Sequence, residues 1–242
     1  MTEDESVEEQ SAWDYAKANR ASIARRLTNP EKYPGEQAPV SVFMAGSPGA
    51  GKTEASIELL KKFEGDTPIL RIDPDELRLE FAGYAGANAY IFQRAVTVLV
   101  ERIHDLALKQ CQSFILDGTL ANFNVADKNI ERSVKRGRAV QILYIYQEPA
   151  SAWRFVQARE RQEGRRIRAE HFVTQYFAAR DVVNKLKVKF KQTIKIDLLL
   201  KNIDGTDRRY FANVDQIDRY VPEKYTLDDV KKLIATKDDE HV

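Results

Sequence analysis

Short apolar runs alternate with longer amphipathic stretches along this chain. The runs have the length and the branched or aromatic content of strands, and they cover residues 40–45, 68–72, 113–116, 140–146 and 194–200. Stretches with helical spacing lie between them, over about 54–63, 87–110, 124–136, 149–163 and 169–191. Strands that alternate with helices predict an α/β fold with a parallel sheet and helices on both of its faces.

The two ends of the chain add elements to this pattern. Residues 1–11 are acidic and polar, so we expect a disordered tail there, followed by a helix over 12–28. Near the other end, residues 209–212 are expected to pair with 194–200 as a hairpin, and 227–234 to form a short helix. We expect a flexible charged tail over 236–242 and a single domain over 1–242.

A glycine-rich segment joins the first strand to the first helix of the sheet, and it reads Gly46-Ser47-Pro48-Gly49-Ala50-Gly51-Lys52-Thr53. Strand, glycine loop and helix in this order are the context of a phosphate-binding P-loop. Backbone N–H groups form an anion-binding nest at a helix N-terminus. Lys52 supplies a mobile positive charge, and Thr53 supplies a hydroxyl for Mg²⁺. The predicted nucleotide-binding residues are Gly46, Ser47, Gly49, Ala50, Gly51, Lys52 and Thr53.

Acidic residues follow two of the other predicted strands. The carboxyl ends of parallel strands share one sheet edge, which predicts one crevice for Gly46, Asp73, Asp75, Asp117 and Thr119. Asp73 precedes a proline, as a helix cap does, whereas Asp75 could take the proton of a phosphoryl acceptor. Asp117 is predicted to reach Mg²⁺, and Thr119 to donate to a substrate or to cap the next helix.

Five arginines fall within ten residues around Gly164, at positions 159, 161, 165, 166 and 168. A solvated helix face would explain such a run in most proteins. Beside a P-loop, guanidinium groups can neutralise the charge of a transferring phosphoryl group. The segment therefore predicts an arginine-rich lid hinged near Gly164.

Composition narrows the function classes. The chain has 38 basic and 37 acidic residues, for a net charge of +1, which argues against nucleic-acid binding. One cysteine and three scattered histidines offer no metal cluster. Without a signal peptide or a long apolar run, we expect a cytoplasmic protein that does not enter membranes.

With these motifs together, the chain resembles the zeta toxin family of P-loop kinases, the toxins of toxin–antitoxin systems. The resemblance covers about residues 12–213 and is carried by four segments: the P-loop at 46–53, Ile-Asp-Pro-Asp at 72–75, Asp-Gly-Thr at 117–119, and the arginine segment 160–166. It implies transfer of the γ-phosphate of ATP or GTP to the 3′-hydroxyl of UDP-N-acetylglucosamine. A small helical antitoxin would be the partner.

The resemblance also implies roles for individual residues. Asp75 corresponds to the catalytic base, and Lys52 to the nucleotide-binding lysine. Arg161 and Arg166 correspond to two phosphate-contacting arginines. Residues that would contact the nucleotide-sugar substrate are Asp75, Glu101 and Thr119, and the metal positions are Thr53 and Asp117.

One segment departs from the family pattern. Well-studied members have Glu-Gly-Thr-Gly-Arg where this chain has Asp117-Gly118-Thr119-Leu120-Ala121. The arginine of that motif helps to hold the sugar nucleotide, and Ala121 cannot do so. The departure leaves kinase chemistry intact and leaves the acceptor open.

Two other functions compete with a small-molecule kinase. Arg165, Arg166 and Arg168 suit a polynucleotide 5′-kinase or RNA-repair enzyme, against which the near-neutral charge counts. A nucleotide-binding switch without transfer also needs a P-loop. A switch has no use for an acceptor base, so Asp75 counts against it.

Overall fold

The computed structural model describes residues 1–62, 67–164, 167–201, 208–222 and 224–238. Within them, six strands form one sheet in the order β2-β3-β1-β4-β5-β6. The first five are parallel, and β6 runs antiparallel to β5. The strands are β1 Val40–Ala45, β2 Leu70–Ile72, β3 Phe114–Leu116, β4 Ala139–Tyr146, β5 Ile194–Lys201 and β6 Arg208–Phe211. The predicted α/β class and the closing hairpin are confirmed.

Helices cover both faces of the sheet. They are α1 Glu3–Leu27, α2 Lys52–Lys62, α3 Gln93–Lys109, α4 Phe123–Val134, α5 Pro149–Glu163, α6 Ala169–Phe190 and α7 Leu227–Asp238. Alternate residues of β1 are buried in different hydrophobic cores. Val42 and Met44 pack in a small core with Ala55 of α2. Phe43 and Ala45 join the larger core on the opposite face. This alternation is what a sheet buried on both sides requires. No helix in the described part of the chain has the length and apolar character needed to cross a bilayer.

The expected acidic N-terminal tail is helical instead, because α1 begins at Glu3. Thr2 and Glu5 form a capping box, in which each side chain binds the other's backbone N–H. Glu5 also accepts a hydrogen bond from the hydroxyl of Tyr90. Acidic composition predicted disorder, but a local cap and a tertiary contact stabilise this turn.

Two other helix boundaries differ from the prediction. The segment after β2 forms a short 3₁₀ helix, Glu76–Glu80. The long helix α3 begins at Gln93 rather than near Ala87, since 81–92 form successive turns. At the other end, α7 continues to Asp238, so 236–238 are helical rather than a flexible tail, and 239–242 lie outside the described residues.

A histidine lies in the larger core and should make stability depend on pH. His104 is 1% exposed, and its Nδ1 accepts a hydrogen bond from Arg132 at 2.7 Å. Its Nε2 is buried without a partner in the described structure. Burial, with the nearby charges of Arg132 and Arg138, lowers the pKa of His104 to about 3.

Because an unfolded histidine titrates near 6.5, the unfolded state binds more protons below that pH, and stability falls as pH falls. Between pH 7 and pH 5, wild type should lose about 2 kcal/mol more than His104→Leu, at about 1.4 kcal/mol per pKa unit. Urea denaturation of both proteins at the two pH values measures this difference. Equal losses would contradict the neutral buried form.

Candidate active site

The P-loop has the backbone path that its glycines predict. Gly46 and Gly49 have φ of +137° and +71°, and a Cβ on either would lie within 2.4 Å of a backbone oxygen. Only glycine therefore fits at these positions. The Nζ of Lys52 donates to the carbonyl oxygens of Gly46 at 3.1 Å and Ser47 at 2.7 Å. These bonds keep the ammonium group on the loop that the motif uses for phosphates.

The Asp-Gly-Thr segment lies directly beside this loop. The backbone N–H of Gly46 donates to the carbonyl of Thr119 at 3.3 Å. Asn122, rather than Thr119, caps α4 by accepting from Val125 N at 3.2 Å, so the capping alternative for Thr119 is wrong. Leu120 has φ of +52°, in the left-handed region that favours the glycine of well-studied family members.

A buried arginine joins the acids at this sheet edge. Arg71 Nη2 lies 2.5 Å from Asp73 Oδ2 and 2.6 Å from Asp117 Oδ2. Its Nη1 lies 2.5 Å from Glu76, which is exposed. Asp117 Oδ2 also accepts from the Ser56 hydroxyl at 2.8 Å, and that hydroxyl lies 2.8 Å from the Thr53 carbonyl oxygen. The acids of β2 and β3 are therefore tied to the first turns of α2.

Asp73 has a structural role in the turn before the 3₁₀ helix. Its Oδ1 accepts from the backbone N–H of Asp75 at 2.7 Å, a turn that aspartate favours. Burial, with the charges of Asp75 and Asp117, raises the pKa of Asp73 to about 6, against the opposing effect of Arg71. Asp73 therefore fixes the backbone that presents Asp75.

Asp75 itself is partly open to solvent, with 30% of its side chain exposed, and is held by a second buried arginine. Arg78, 5% exposed, donates to Asp75 Oδ1, and its Nη2 donates to Gln93 Oε1 at 2.9 Å. One face of the carboxylate is thereby fixed by the 3₁₀ helix and by the start of α3. An oriented, accessible carboxylate at a strand end is what an acceptor base requires.

Arg159 is an arginine of the predicted lid whose pKa is affected by a carboxylate of the site, that of Asp75. Burial disfavours its charge, but the carboxylates of Glu163, Asp75 and Glu54 outweigh burial and raise its pKa. Arg161 is exposed and makes no hydrogen bond or ion pair with the described residues. Arg166 and Arg165 lie outside the described residues. Arg159 Nη2 lies 3.3 Å from Glu163 on the same helix, and the charge of Asp75 also favours its charged form.

Glu101 lies away from these contacts. It is exposed in the middle of α3, about 12 Å along the helix axis from Gln93 at a rise of 1.5 Å per residue. Within the described part of the chain it makes no hydrogen bond or ion pair. Its assignment to the substrate remains a prediction from the resemblance.

The residues at the α2 edge fit a magnesium ion carried by a nucleotide. Mg²⁺ keeps several waters and takes few protein ligands beside phosphate oxygens. Asp117 Oδ2 is bonded to Arg71 and Ser56, while Oδ1 accepts no hydrogen bond from the described residues. Thr53 lies in the first turn of α2. The described residues hold no cluster of three or more metal-ligating side chains, so phosphates would have to supply the other ligands.

Sequence reasoning missed three basic residues of this site. Arg71 and Arg78 bind the acids, and Lys201, at the end of β5, donates to the Gly51 carbonyl at 3.0 Å. Burial lowers the pKa of Lys201. Arg71 and Lys201 carried a signal, because each is a charged residue within or ending an apolar strand. Arg78 lies three residues after Asp75, a spacing at which side chains on a helical turn meet.

Several solved structures share the fold. A structure of the PezAT chromosomal toxin-antitoxin system of Streptococcus pneumoniae matches with a TM-score of 0.62 at 17% identity, over 100% of this chain and 96% of that chain. The AvrRxo1-ORF1:-ORF2 complex with ATP matches at 0.59 and 18% identity, over 88% and 70%. The Pnkp1/Rnl/Hen1 RNA repair complex matches at 0.50 and 12% identity, over 80% and 54%. At such identities the likeness shows the fold alone.

The parallel sheet, the P-loop and the acids beside it define a P-loop phosphotransferase of the kinase type. A family model for zeta toxin matches residues 24–215, and the chain belongs to the zeta toxin family. The resemblance drawn from the sequence is thereby confirmed. No curated protein matches the chain by sequence.

Proposed function

We propose that this protein transfers the γ-phosphate of ATP or GTP to a sugar hydroxyl, with the 3′-hydroxyl of UDP-N-acetylglucosamine as the leading acceptor. The observation that carries the proposal is a continuous series of hydrogen bonds and ion pairs from the P-loop helix to Asp75, the proposed acceptor base. Ser56 binds Asp117, Asp117 binds Arg71, and Arg71 binds Asp73. Asp73 in turn binds the backbone of Asp75. We infer that these contacts fix the position of Asp75, the proposed base, relative to the phosphate loop.

Each group has a defined task in this proposal. The P-loop N–H groups and Lys52 bind the β- and γ-phosphates. Asp75 orients the acceptor hydroxyl and takes its proton, while Arg159 offsets charge on the γ-phosphate. Arg161 and Arg166 remain candidate phosphate contacts, and Glu101 and Thr119 candidate contacts of the nucleotide sugar, from the family resemblance.

Thr53 and Asp117 would hold magnesium. The ion would neutralise negative charge on the β- and γ-phosphates when the nucleotide is bound. Asp117 Oδ1 would reach it directly or through water. The bonds of Oδ2 to Arg71 and Ser56 fix the orientation of that carboxylate.

The alternative to this proposal concerns the acceptor. Ala121 replaces the arginine that holds the sugar nucleotide in well-studied family members, so a different small-molecule or polynucleotide hydroxyl is the alternative. The structural neighbour from an RNA repair complex shares only the fold. A small helical antitoxin is proposed as the partner, because the fold is shared with a structure of a toxin-antitoxin system.

The experiment measures ATP and GTP consumption with UDP-N-acetylglucosamine, other nucleotide sugars, free sugars and a 5′-hydroxyl oligonucleotide. Products are identified by a mass gain of one phosphate. Acceptor-dependent turnover with a nucleotide sugar supports the proposal, and turnover with the oligonucleotide alone supports the alternative. Hydrolysis that no acceptor stimulates would overturn the kinase assignment.

Arg159 and Arg161, two of the three described lid arginines, should differ in their effect on catalysis. Arg159→Ala should lower kcat by about 10–100-fold, the value of one lost charge-assisted hydrogen bond of about 1.5–3 kcal/mol. Arg161→Ala is the matched control from the same helix, and its exposed position predicts a smaller loss. Steady-state kinetics with the identified acceptor make the comparison. A larger loss in Arg161→Ala would restore the assignment drawn from the resemblance.

A further inference from the structure

A cavity opens at the edge of the sheet opposite the P-loop. It has a volume of about 560 Å³, within the range of small-molecule sites. Its lining comes from the amino ends of β1 and β4, the ends of α3 and α4, and the turn before β3. The lining residues are Pro39, Arg102, Asp105, Leu108, Lys109, Cys111, Arg136 and Arg138. β1 separates the two edges by about 20 Å, since six strand residues rise 3.3 Å each.

The lining of this cavity has an excess of positive charge. Four cationic side chains line it, and none forms an ion pair with a carboxylate of the described residues. Asp105, the one carboxylate among the lining residues, lies 3.1 Å from Arg132 outside the lining. Like charges kept close together at a concave surface attract a counter-ion of opposite charge.

Arg138 is the feature that a solvated basic surface does not explain. It is 6% exposed, and its guanidinium donates only to neutral oxygens, those of Ser41, Val40 and Gln112. Its Nη1 is buried and without a partner in the described structure. Burial lowers the pKa of Arg138 to about 10. A buried charge usually has an ionic partner, but no carboxylate of the described residues forms an ion pair with Arg138. Glu36 acts on it only through its charge, and the guanidinium carbon lies 5.2 Å from the centroid of the Phe114 ring.

Of the other three cationic side chains, two are explained by their position at a helix end and one is not. Lys109 and Arg136 lie at or just beyond the ends of α3 and α4, where positive charge complements the helix dipole without any ligand. Arg102 lies in the interior of α3 and makes no hydrogen bond or ion pair with the described residues. Arg102 and Arg138 are therefore the pair whose placement points to an anion.

We propose that this cavity binds a phosphorylated small molecule through its phosphate groups. Arginine forks suit phosphate oxygens, and several such forks around one cavity suit more than one phosphate group. The concave shape favours a small molecule over the backbone of a nucleic acid. The site lies too far from the P-loop to share a phosphate with it.

Cys111 provides a reporter because it is exposed, lines the cavity and is the only cysteine of the chain. The test follows alkylation of Cys111 by neutral iodoacetamide, with pyrophosphate as the probe and sodium chloride at equal ionic strength as the reference. Pyrophosphate should slow alkylation by at least about fivefold, because a bound anion blocks the thiol and disfavours its thiolate. Protection matched by sodium chloride, together with no heat of pyrophosphate binding in the titration described below, would overturn the proposal.

The double variant Arg102→Gln, Arg136→Gln removes two exposed charges and should abolish the protection. Lys52→Ala, which removes the charge of the P-loop, should leave it unchanged. Protection that survives the double variant, or disappears with Lys52→Ala, would overturn the proposal. Arg138 is left intact because its guanidinium also donates to β1 and to the turn before β3.

Two further arms separate the sources of phosphate. Protection by ADP at lower concentration than by pyrophosphate identifies a nucleotide as the ligand, and the reverse order identifies a smaller phosphate compound. Stronger protection by single-stranded RNA than by either would replace the small-molecule proposal with a nucleic-acid surface.

Calorimetric titration of pyrophosphate into Lys52→Ala detects binding that leaves the thiol of Cys111 uncovered. Absence of both heat and protection overturns the proposal.

Discussion

Asp75→Asn will lower acceptor-dependent kcat by about 10²–10⁴-fold, the usual contribution of a positioned acid or base. The amide keeps the size and shape of the carboxylate, but it cannot take a proton from the acceptor hydroxyl. Nucleotide affinity should change little, because the P-loop supplies the phosphate contacts. Single-turnover kinetics and equilibrium binding of ATP measure the two quantities separately.

Glu76→Gln is the matched control for this substitution. Glu76 is the next residue, lies 2.5 Å from Arg71 and has 66% of its side chain exposed. Removing its charge should change kcat by no more than a few fold, since an exposed ion pair contributes about 0–1 kcal/mol. Equal rates for Asp75→Asn and wild type would rule out Asp75 as the acceptor base and leave the P-loop assignment standing.

The parts of the site that sequence patterns predicted are local ones. The P-loop needs only eight consecutive residues, and each strand end follows an apolar run, so one shared edge followed from topology. The prediction that Asp117 and Asp73 lie near one another is confirmed by their common partner Arg71. Such placements depend on chain direction in a parallel sheet rather than on any single contact.

What the sequence could not predict are pairings between distant segments. Arg71 is one polar residue in an apolar run, and its partner Asp117 is 46 residues away. The N-terminal helix shows the same limit, because its first turn depends partly on Tyr90, 85 residues from Glu5. Acidic composition predicted disorder there, although the Thr2–Glu5 cap was visible in the sequence.

Arg71→Met is expected to lower the free energy of unfolding by about 3–5 kcal/mol, the cost of removing one partner of a buried ion pair. Methionine fills similar space but leaves Asp73 and Asp117, which are 7% and 6% exposed, without a compensating charge. Urea denaturation at pH 7.5 measures the loss. Arg26→Met, whose guanidinium binds Glu80 with 58% of the side chain exposed, is the control and should lose less than about 1 kcal/mol.

The loss should also depend on pH in a direction that distinguishes charge from packing. The folded state holds a proton on Asp73 up to a pKa of about 6, whereas the unfolded chain releases it near 3.9. This stabilises the folded state at low pH and is lost as pH rises through 6. Without Arg71 the pKa of Asp73 rises further, so the loss in Arg71→Met should be smaller at pH 5 than at pH 7.5. A loss independent of pH would mean that Arg71 stabilises the sheet edge by packing, and that the link from Ser56 to Asp75 is not electrostatic.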